Sequence, residues 1–177
     1  MGLRAALPED AAALGAMHAA SWAEAYPPLV EAGLIAPGLF EAMTDPARRG
    51  AAWAGILARP GLPGGVIMAE EDGEIIGFAS VARTRDPALG TQGELTGLYL
   101  LRRAQGRGIA TALLGAGFAA LRQAGLTDAG AWAVEGNLPA ERFYAARGAV
   151  PGPRRVEHRG PHALAETGWT WKDLGPS

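Results

Sequence analysis

The 177-residue sequence predicts a single α+β domain built on a mixed central sheet. Helical patterns come first and then interleave with strands, an order that favours a mixed sheet over a doubly wound parallel one. Asp72-Gly73 separates two apolar runs, 66–70 and 74–82, and marks a β-hairpin. The run 93–101 passes through the glycine-bearing turn Gln105-Gly106-Arg107-Gly108 straight into an alanine- and leucine-rich helix.

The elements follow in order. Residues 3–7 read as a short strand ended by Pro8. Pro8-Glu9-Asp10 opens a helix to about Trp22, with proline and acids in its first turn. Leu14, Met17, His18, Ser21 and Trp22 share one of its faces. Pro27-Pro28 breaks that helix, a short helical piece covers 29–33, and Pro37-Gly38 lies in a loop. Residues 46–57 form another helix, closed by the breaker cluster Pro60-Gly61-Leu62-Pro63-Gly64-Gly65. After the hairpin and the run 93–101, a helix extends from about Gly108 to Ala124 with Gly125 as its stop. Residues 129–134 make a strand, and Asn137 caps a helix ending at Gly148. Residues 150–157 are a weak strand and 163–171 a better one.

Composition narrows the function. Hydrophobic content of 49% and charged content of 19% suit a packed globule. A net charge of −2 gives no electrostatic footprint for nucleic acid or a membrane surface. The absence of cysteine excludes disulfides, thiol catalysis and cysteine-ligated zinc. His18, His158 and His162 are scattered without a supporting carboxylate at ligand spacing, so no metal is expected. No stretch approaches the ~18 apolar residues of a membrane helix. The first residues lack a long apolar core and a cleavage site, and Ala6 replaces the Ser or Thr of a myristoylation signal. A cytoplasmic enzyme or binding protein is the expectation.

The chemistry concentrates in two segments. Glycines at a strand-to-helix junction let a ligand approach bare backbone N–H groups, where the helix dipole adds partial positive charge. The junction reads as Gln105-x-x-Gly108-x-Ala110, and in an overlapping register as Arg103-x-x-Gly106-x-Gly108. A dinucleotide fingerprint fails because Thr111 stands where the third glycine belongs, and no Gly-x-x-x-x-Gly-Lys-Ser/Thr occurs. About thirty residues on, Asn137 and Tyr144 lie two helical turns apart on nearly one face. Each also has a plainer reading, as an N-cap and as a core aromatic.

Together and in this order, the two segments resemble the GNAT family of acetyl-CoA-dependent N-acetyltransferases. The first matches its pyrophosphate-binding motif, about 93–124. The second, about 129–148, matches the strand and helix flanking the pantetheine arm. His18-x-x-Ser21-Trp22-x-x-x-Tyr26 is similar to the first helix of many small-molecule members. The resemblance implies a mostly antiparallel twisted sheet of six or seven strands, with about four helices on both faces. It implies acetyl transfer from acetyl-CoA to a primary amine of a small molecule or a peptide N-terminus, by direct attack in a ternary complex. A non-catalytic acyl-CoA-binding or regulatory module is the competing reading.

Carried over residue by residue, the resemblance has Leu98, Tyr99 and Leu100 offering main-chain groups to the pantetheine amides. Gln105, Gly106, Arg107, Gly108, Ile109, Ala110 and Thr111 wrap the pyrophosphate, with Arg107 adding charge. Asn137 contacts the pantetheine arm, and Tyr144 donates a proton to the departing thiolate. Arg102 and Arg103 either reach a nucleotide phosphate or are solvated. The reaction needs a neutral amine and therefore a base. Glu94 is the choice, set against its reading as a solvated strand-end acid, with Glu24, Glu70 and Glu71 behind it. Two-residue periodicity puts Glu94, Thr96 and Leu98 on one face, where Thr96 helps hold a relay water. Trp22 and Tyr26 either contact the amine or pack in the core. The loop 83–91 and residues 154–162 complete the acceptor region. Family members are often homodimers, which nothing in the sequence tests.

Overall fold

The computed structural model describes residues 1–59, 61–62 and 64–175. Pro60 and Pro63 of the breaker cluster lie outside the described residues. The chain opens with β1 (Gly2–Ala5), a 3-10 turn at Pro8–Asp10, and α1 (Ala11–Ala25). Three proline-initiated helices follow: α2 (Pro27–Glu31), α3 (Pro37–Thr44) and α4 (Pro46–Leu57). The hairpin is β2 (Val66–Glu71) and β3 (Glu74–Arg83), turning on Asp72 and Gly73 at φ 52° and 81°. Then come β4 (Gly93–Leu100), α5 (Ile109–Gln123), β5 (Ala129–Val134), α6 (Leu138–Ala145), β6 (Val150–Arg159) and β7 (His162–Trp171).

Among the described residues six helices form, where about four were expected. Pro27-Pro28 starts α2 instead of merely ending α1, because a proline at the first helical position loses no hydrogen bond. Pro37 does the same for α3, in a stretch whose Pro-Gly pair reads as a loop. Asp45 caps α4, its Oδ1 accepting from the amides of Ala47 at 2.9 Å and Arg48 at 3.1 Å. β6 runs two residues beyond the expected strand. Its prolines are tolerated because it is an edge strand whose register breaks between Pro151 and Arg154.

The seven strands form one sheet in the order β1-β2-β3-β4-β5-β7-β6. Every pairing is antiparallel except β4 with β5. Helices cover both faces, as expected. Ile109, Leu113, Leu114 and Leu121 of α5 pack on Ala79, Val81, Leu95 and Ala131 of the sheet. On the opposite face Leu14 and Trp53 of α1 and α4 meet Met68 and Phe78. Beside them Trp22, Tyr26, Ile35, Leu39 and Leu164 form a further cluster. Full burial of each such large side chain is worth about 1.5–3 kcal/mol.

Close contact between α1 and α4 rests on two glycines. A Cβ placed on Gly15 would lie 2.2 Å from the amide nitrogen of Gly50. That approach brings Trp53 of α4 within hydrogen-bonding reach of His18 on α1. Among the described residues no helix is long and apolar enough to cross a membrane.

Candidate active site

The site begins where the sheet comes apart. Gly93, Glu94 and Leu95 of β4 pair with Ala129, Gly130 and Ala131 of β5, and the pairing stops there. Beyond Leu95 the strands part, leaving that edge of β4 through Leu98, Tyr99 and Leu100 without a strand partner. Unpaired main-chain donors and acceptors on such an edge are ready to bind an extended, amide-bearing ligand.

At the end of β4 the chain makes a 3-10 turn at Arg102–Ala104 and enters α5 through two left-handed residues, Gly106 at φ 72° and Gly108 at φ 79°. Gly108 caps α5, and its carbonyl accepts from Ala112 N at 3.1 Å. The amides before Ala112 therefore have no intrahelical acceptor. A Cβ on either glycine would meet nothing within 4 Å, so open space, not packing, lies in front of them. Ile109, 2% exposed, anchors the helix start in the core.

A groove of about 650 Å³ runs from this turn to the gap between the strands. Gln105, Gly106, Gly108, Ala110 and Thr111 line one end, and Leu98, Tyr99, Leu100, Asn137 and Tyr144 line the other. Ile109 and Arg107 do not line it. Arg107 turns to the Glu71 carboxylate, with contacts of 3.1 and 2.5 Å, and this pair raises the arginine and lowers the acid. Cationic charge at the groove comes instead from Arg102 and from Arg147, which donates to Thr111 Oγ1 at 2.7 and 3.2 Å. Arg103 pairs with Glu74. The signal for Arg147 was present: Asn137, Tyr144 and Arg147 follow steps of seven and three, one helical face.

Asn137 combines both of its readings. Its Oδ1 caps α6 by accepting from Ala140 N at 3.3 Å, while Nδ2 donates to Tyr26 Oη at 3.4 Å inside the groove. Trp22 and Tyr26 are 1% and 6% exposed, and their rings lie 4.2 Å apart in the core. Tyr26 nevertheless borders the groove.

A small chamber of about 80 Å³ joins the groove in the gap between β4 and β5, and Tyr26, Leu98, Tyr99, Asn137 and Tyr144 border both. Burial pushes the Tyr144 phenol well above its ordinary range, so its hydroxyl keeps its proton at neutral pH. Its ring stands edge-on to Trp171 at 5.4 Å.

Glu94 also borders the chamber, 2% exposed, but it is no solvated acid. Oε1 accepts from Arg85 Nη2 at 2.7 Å. Oε2 accepts from the Arg85 amide at 3.0 Å and from Nε at 3.3 Å. A carboxylate offers about four acceptor positions, and Arg85 takes three.

The expected face is corrected. Ser80 pairs with Gly97 and Val81 with Leu95, so Thr96 is an extra residue, a bulge. The bulge reverses the alternation: Leu95 and Leu98 both pack on the α5 side, and Glu94 falls on the opposite face with Gly97 and Tyr99. The Thr96 hydroxyl is held at Ser80, 2.8 Å from its Oγ and 3.1 Å from its carbonyl.

The fallback acids all have partners, and of them Glu24 alone borders the groove. Glu70 pairs with Arg4, Glu71 with Arg107, and Glu24 accepts from the Arg102 amide at 2.5 Å. Sequence reasoning missed Glu166, 3% exposed in the chamber and raised by burial. Arg155 holds it at 2.7 Å while stacking 4.1 Å above the Trp132 ring.

On the far side of the chamber opens a third cavity of about 1000 Å³, bordered by α3, α4, β3 and the β6–β7 hairpin. Thr96, Gly97, Tyr99, Arg85, Glu157 and Arg159 border both spaces. Among the described residues Tyr99 alone borders all three. A ligand in the groove and one in the third cavity would thus meet at Tyr99.

Comparison with known proteins bears on the family and the fold. Residues 30–149 match the model of the acetyltransferase (GNAT) family. An uncharacterized N-acetyltransferase of Bacillus subtilis (strain 168) is 36% identical over 118 residues, 64% of this chain and 65% of that protein's length. The crystal structure of a GCN5-related N-acetyltransferase from Rhodopseudomonas palustris matches with TM-score 0.69 at 26% identity, covering 96% of this chain and 93% of that one. The structure of yncA from Salmonella typhimurium, solved with its cofactor acetyl-CoA, shares the fold with TM-score 0.63 at 20% identity, over 100% and 95% of the two chains.

Proposed function

The chain belongs to the GNAT acetyltransferase family, and on that premise we propose that it transfers the acetyl group of acetyl-CoA to a primary amine. The observation that carries this is that the three spaces adjoin, each sharing bordering residues with the next. The groove from the Gly106–Gly108 turn reaches the buried Tyr144 hydroxyl, and the chamber there opens toward the third cavity through Tyr99. The groove suits coenzyme A. Bare amides at the start of α5 take the diphosphate, with Arg102 and Arg147 as cations beside it. The open edge of β4 takes the amides of the pantetheine arm.

The chemistry then follows from what borders the chamber. The amine nitrogen attacks the thioester carbonyl carbon, forming the C–N bond as the C–S bond breaks. Tyr144, still protonated, passes its proton to the sulfur as the C–S bond breaks, so that coenzyme A leaves as the thiol, and is reprotonated from solvent afterwards. Once the nitrogen has attacked it carries positive charge, so its proton is readily surrendered. The remaining acceptor position on Glu94 Oε1 takes that proton through a water. No cysteine is available to carry the acetyl group, which favours direct transfer within a ternary complex over a thioester intermediate.

Two measurements test the reading. Calorimetry should detect coenzyme A binding that weakens when the Gly108 turn is altered. Acetyl-CoA plus a panel of primary amines should release free thiol. Tight binding without thiol release for any amine would leave the protein a non-catalytic acyl-CoA-binding module.

A further inference from the structure

The third cavity has a one-sided lining. Among the described residues five arginines, Arg48, Arg49, Arg59, Arg85 and Arg159, border it against a single carboxylate, Glu157. Two of the five are matched. Arg85 holds Glu94, and Arg159 Nε donates to Glu157 at 2.6 Å. Arg49 is different: it is half-buried, and its Nε is closed to water without a hydrogen-bond partner. Burial and the neighbouring charge of Arg159 both disfavour its charged form.

His18 adds a second unmatched donor at the same wall. It is 7% exposed, and its Nδ1 accepts from Trp53 Nε1 at 3.1 Å. A neutral imidazole whose Nδ1 accepts must carry its proton on Nε2, and that Nε2–H is buried with no acceptor. Buried donors without acceptors are costly, and like charges gathered in a part-desolvated cleft add to the cost. A negatively charged ligand in the cavity would offset the gathered positive charge.

We propose that the amine acceptor carries an anionic group, a carboxylate or a phosphonate, seated on Arg49 and Arg159 in the third cavity. This rests on the acetyl-transfer reading above and narrows its substrate to amino acids and aminoalkylphosphonates. Polyamines and aminoglycosides are disfavoured because they would bring further positive charge among the arginines. Peptide N-termini are disfavoured because no carboxylate stands beside their amine. With the anion on Arg49 and Arg159, the amine end faces Gly97 and Tyr99, where the cavity joins the chamber. The surrounding positive field also favours the neutral, nucleophilic form of the amine.

The test uses the full chain loaded with coenzyme A. It is titrated calorimetrically with the standard α-amino acids and 2-aminoethylphosphonate, and, for comparison, with amino-acid carboxamides and spermidine. Thiol release from acetyl-CoA is measured with the same compounds. At least one anionic amine should bind, and its kcat/KM should exceed that of its carboxamide and of spermidine by about 100-fold. Arg49→Met should raise KM for that amine at least about tenfold while leaving the carboxamide's kcat/KM within about twofold.

Binding by no anionic amine, or turnover of spermidine or carboxamides on equal terms, overturns the anion site. So does an Arg49→Met variant that weakens charged and neutral acceptors alike. Binding of an anionic amine without thiol release leaves the anion site standing and overturns acetyl transfer instead.

Discussion

The Trp53 indole N–H donates to His18 Nδ1 across 3.1 Å, and this one bond sets the tautomer of a histidine packed between Phe78 and Tyr99. Burial, with the charges of Arg49 and Arg159, lowers His18 to about 3. The unfolded chain takes up that proton near pH 6.5. The folded chain therefore binds fewer protons than the unfolded chain between about 6.5 and 3. Stability is intact above the upper value and falls as pH drops through this window, by about 1.4 kcal/mol per unit for the one group. His18→Gln should flatten that dependence. Urea midpoints measured at intervals from pH 4 to 7 check it, and parallel wild-type and variant curves would remove His18 as the source.

Gly15 tests the packing that creates this contact. An added methyl would lie 2.2 Å from the Gly50 amide nitrogen, a backbone atom that no rotamer change can move aside. Gly15→Ala gains helix propensity of about 1 kcal/mol. Forcing α1 from α4 should exceed that gain, because overpacking costs about 1–3 kcal/mol and here also stretches the Trp53–His18 bond. A lower thermal midpoint and a change in Trp53 fluorescence are expected. Gly55→Ala, where nothing lies within 4 Å of the added carbon, is the comparison and should be neutral or stabilising.

Much of the fold was legible because its signals are local. The Asp72-Gly73 hairpin, the β4–α5 junction and the Asn137 cap each depend on residues within a few positions of one another. α3 was hidden because Pro37-Gly38 carries the same letters as a turn, and only packing of Leu39 and Met43 in the core decides for helix. The site was legible as backbone and illegible as charge. The turn glycines stand where the sequence places them. Arg107 was expected at the turn, but Glu71, thirty-six residues away, captures it, and Arg147, to which the sequence reading gave no role, borders the groove instead. The bulge at Thr96 left no mark in the apolar pattern, since Glu94, Leu95 and Thr96 alternate properly whichever face they take.

The turn itself can be tested at Gly108. A non-glycine residue at φ 79° carries left-handed strain of about 1–2 kcal/mol. The new Cβ would meet no protein atom within 4 Å, so any further harm falls on a ligand. Gly108→Ala should thus lower the thermal midpoint by a few degrees and weaken coenzyme A by about tenfold or more. Calorimetry on the folded variant separates the two effects. Unchanged affinity would move the diphosphate away from this turn.

Tyr144→Phe isolates the hydroxyl, because the ring and its edge-on contact with Trp171 remain. Removal of a donor aimed at the departing sulfur should cut kcat by about ten- to a thousandfold, with coenzyme A affinity nearly unchanged. The pH dependence is the sharper test. Burial holds the phenol above its ordinary range, so it stays protonated from pH 6 to 9 in every form of the enzyme that contains it. The ratio of wild-type to variant kcat should therefore be flat across that range, and any bend in the wild-type profile should survive in the variant. A ratio that collapses toward one at high pH would mean that the hydroxyl loses its proton there. A ratio of one at every pH would mean that the sulfur takes its proton from another donor.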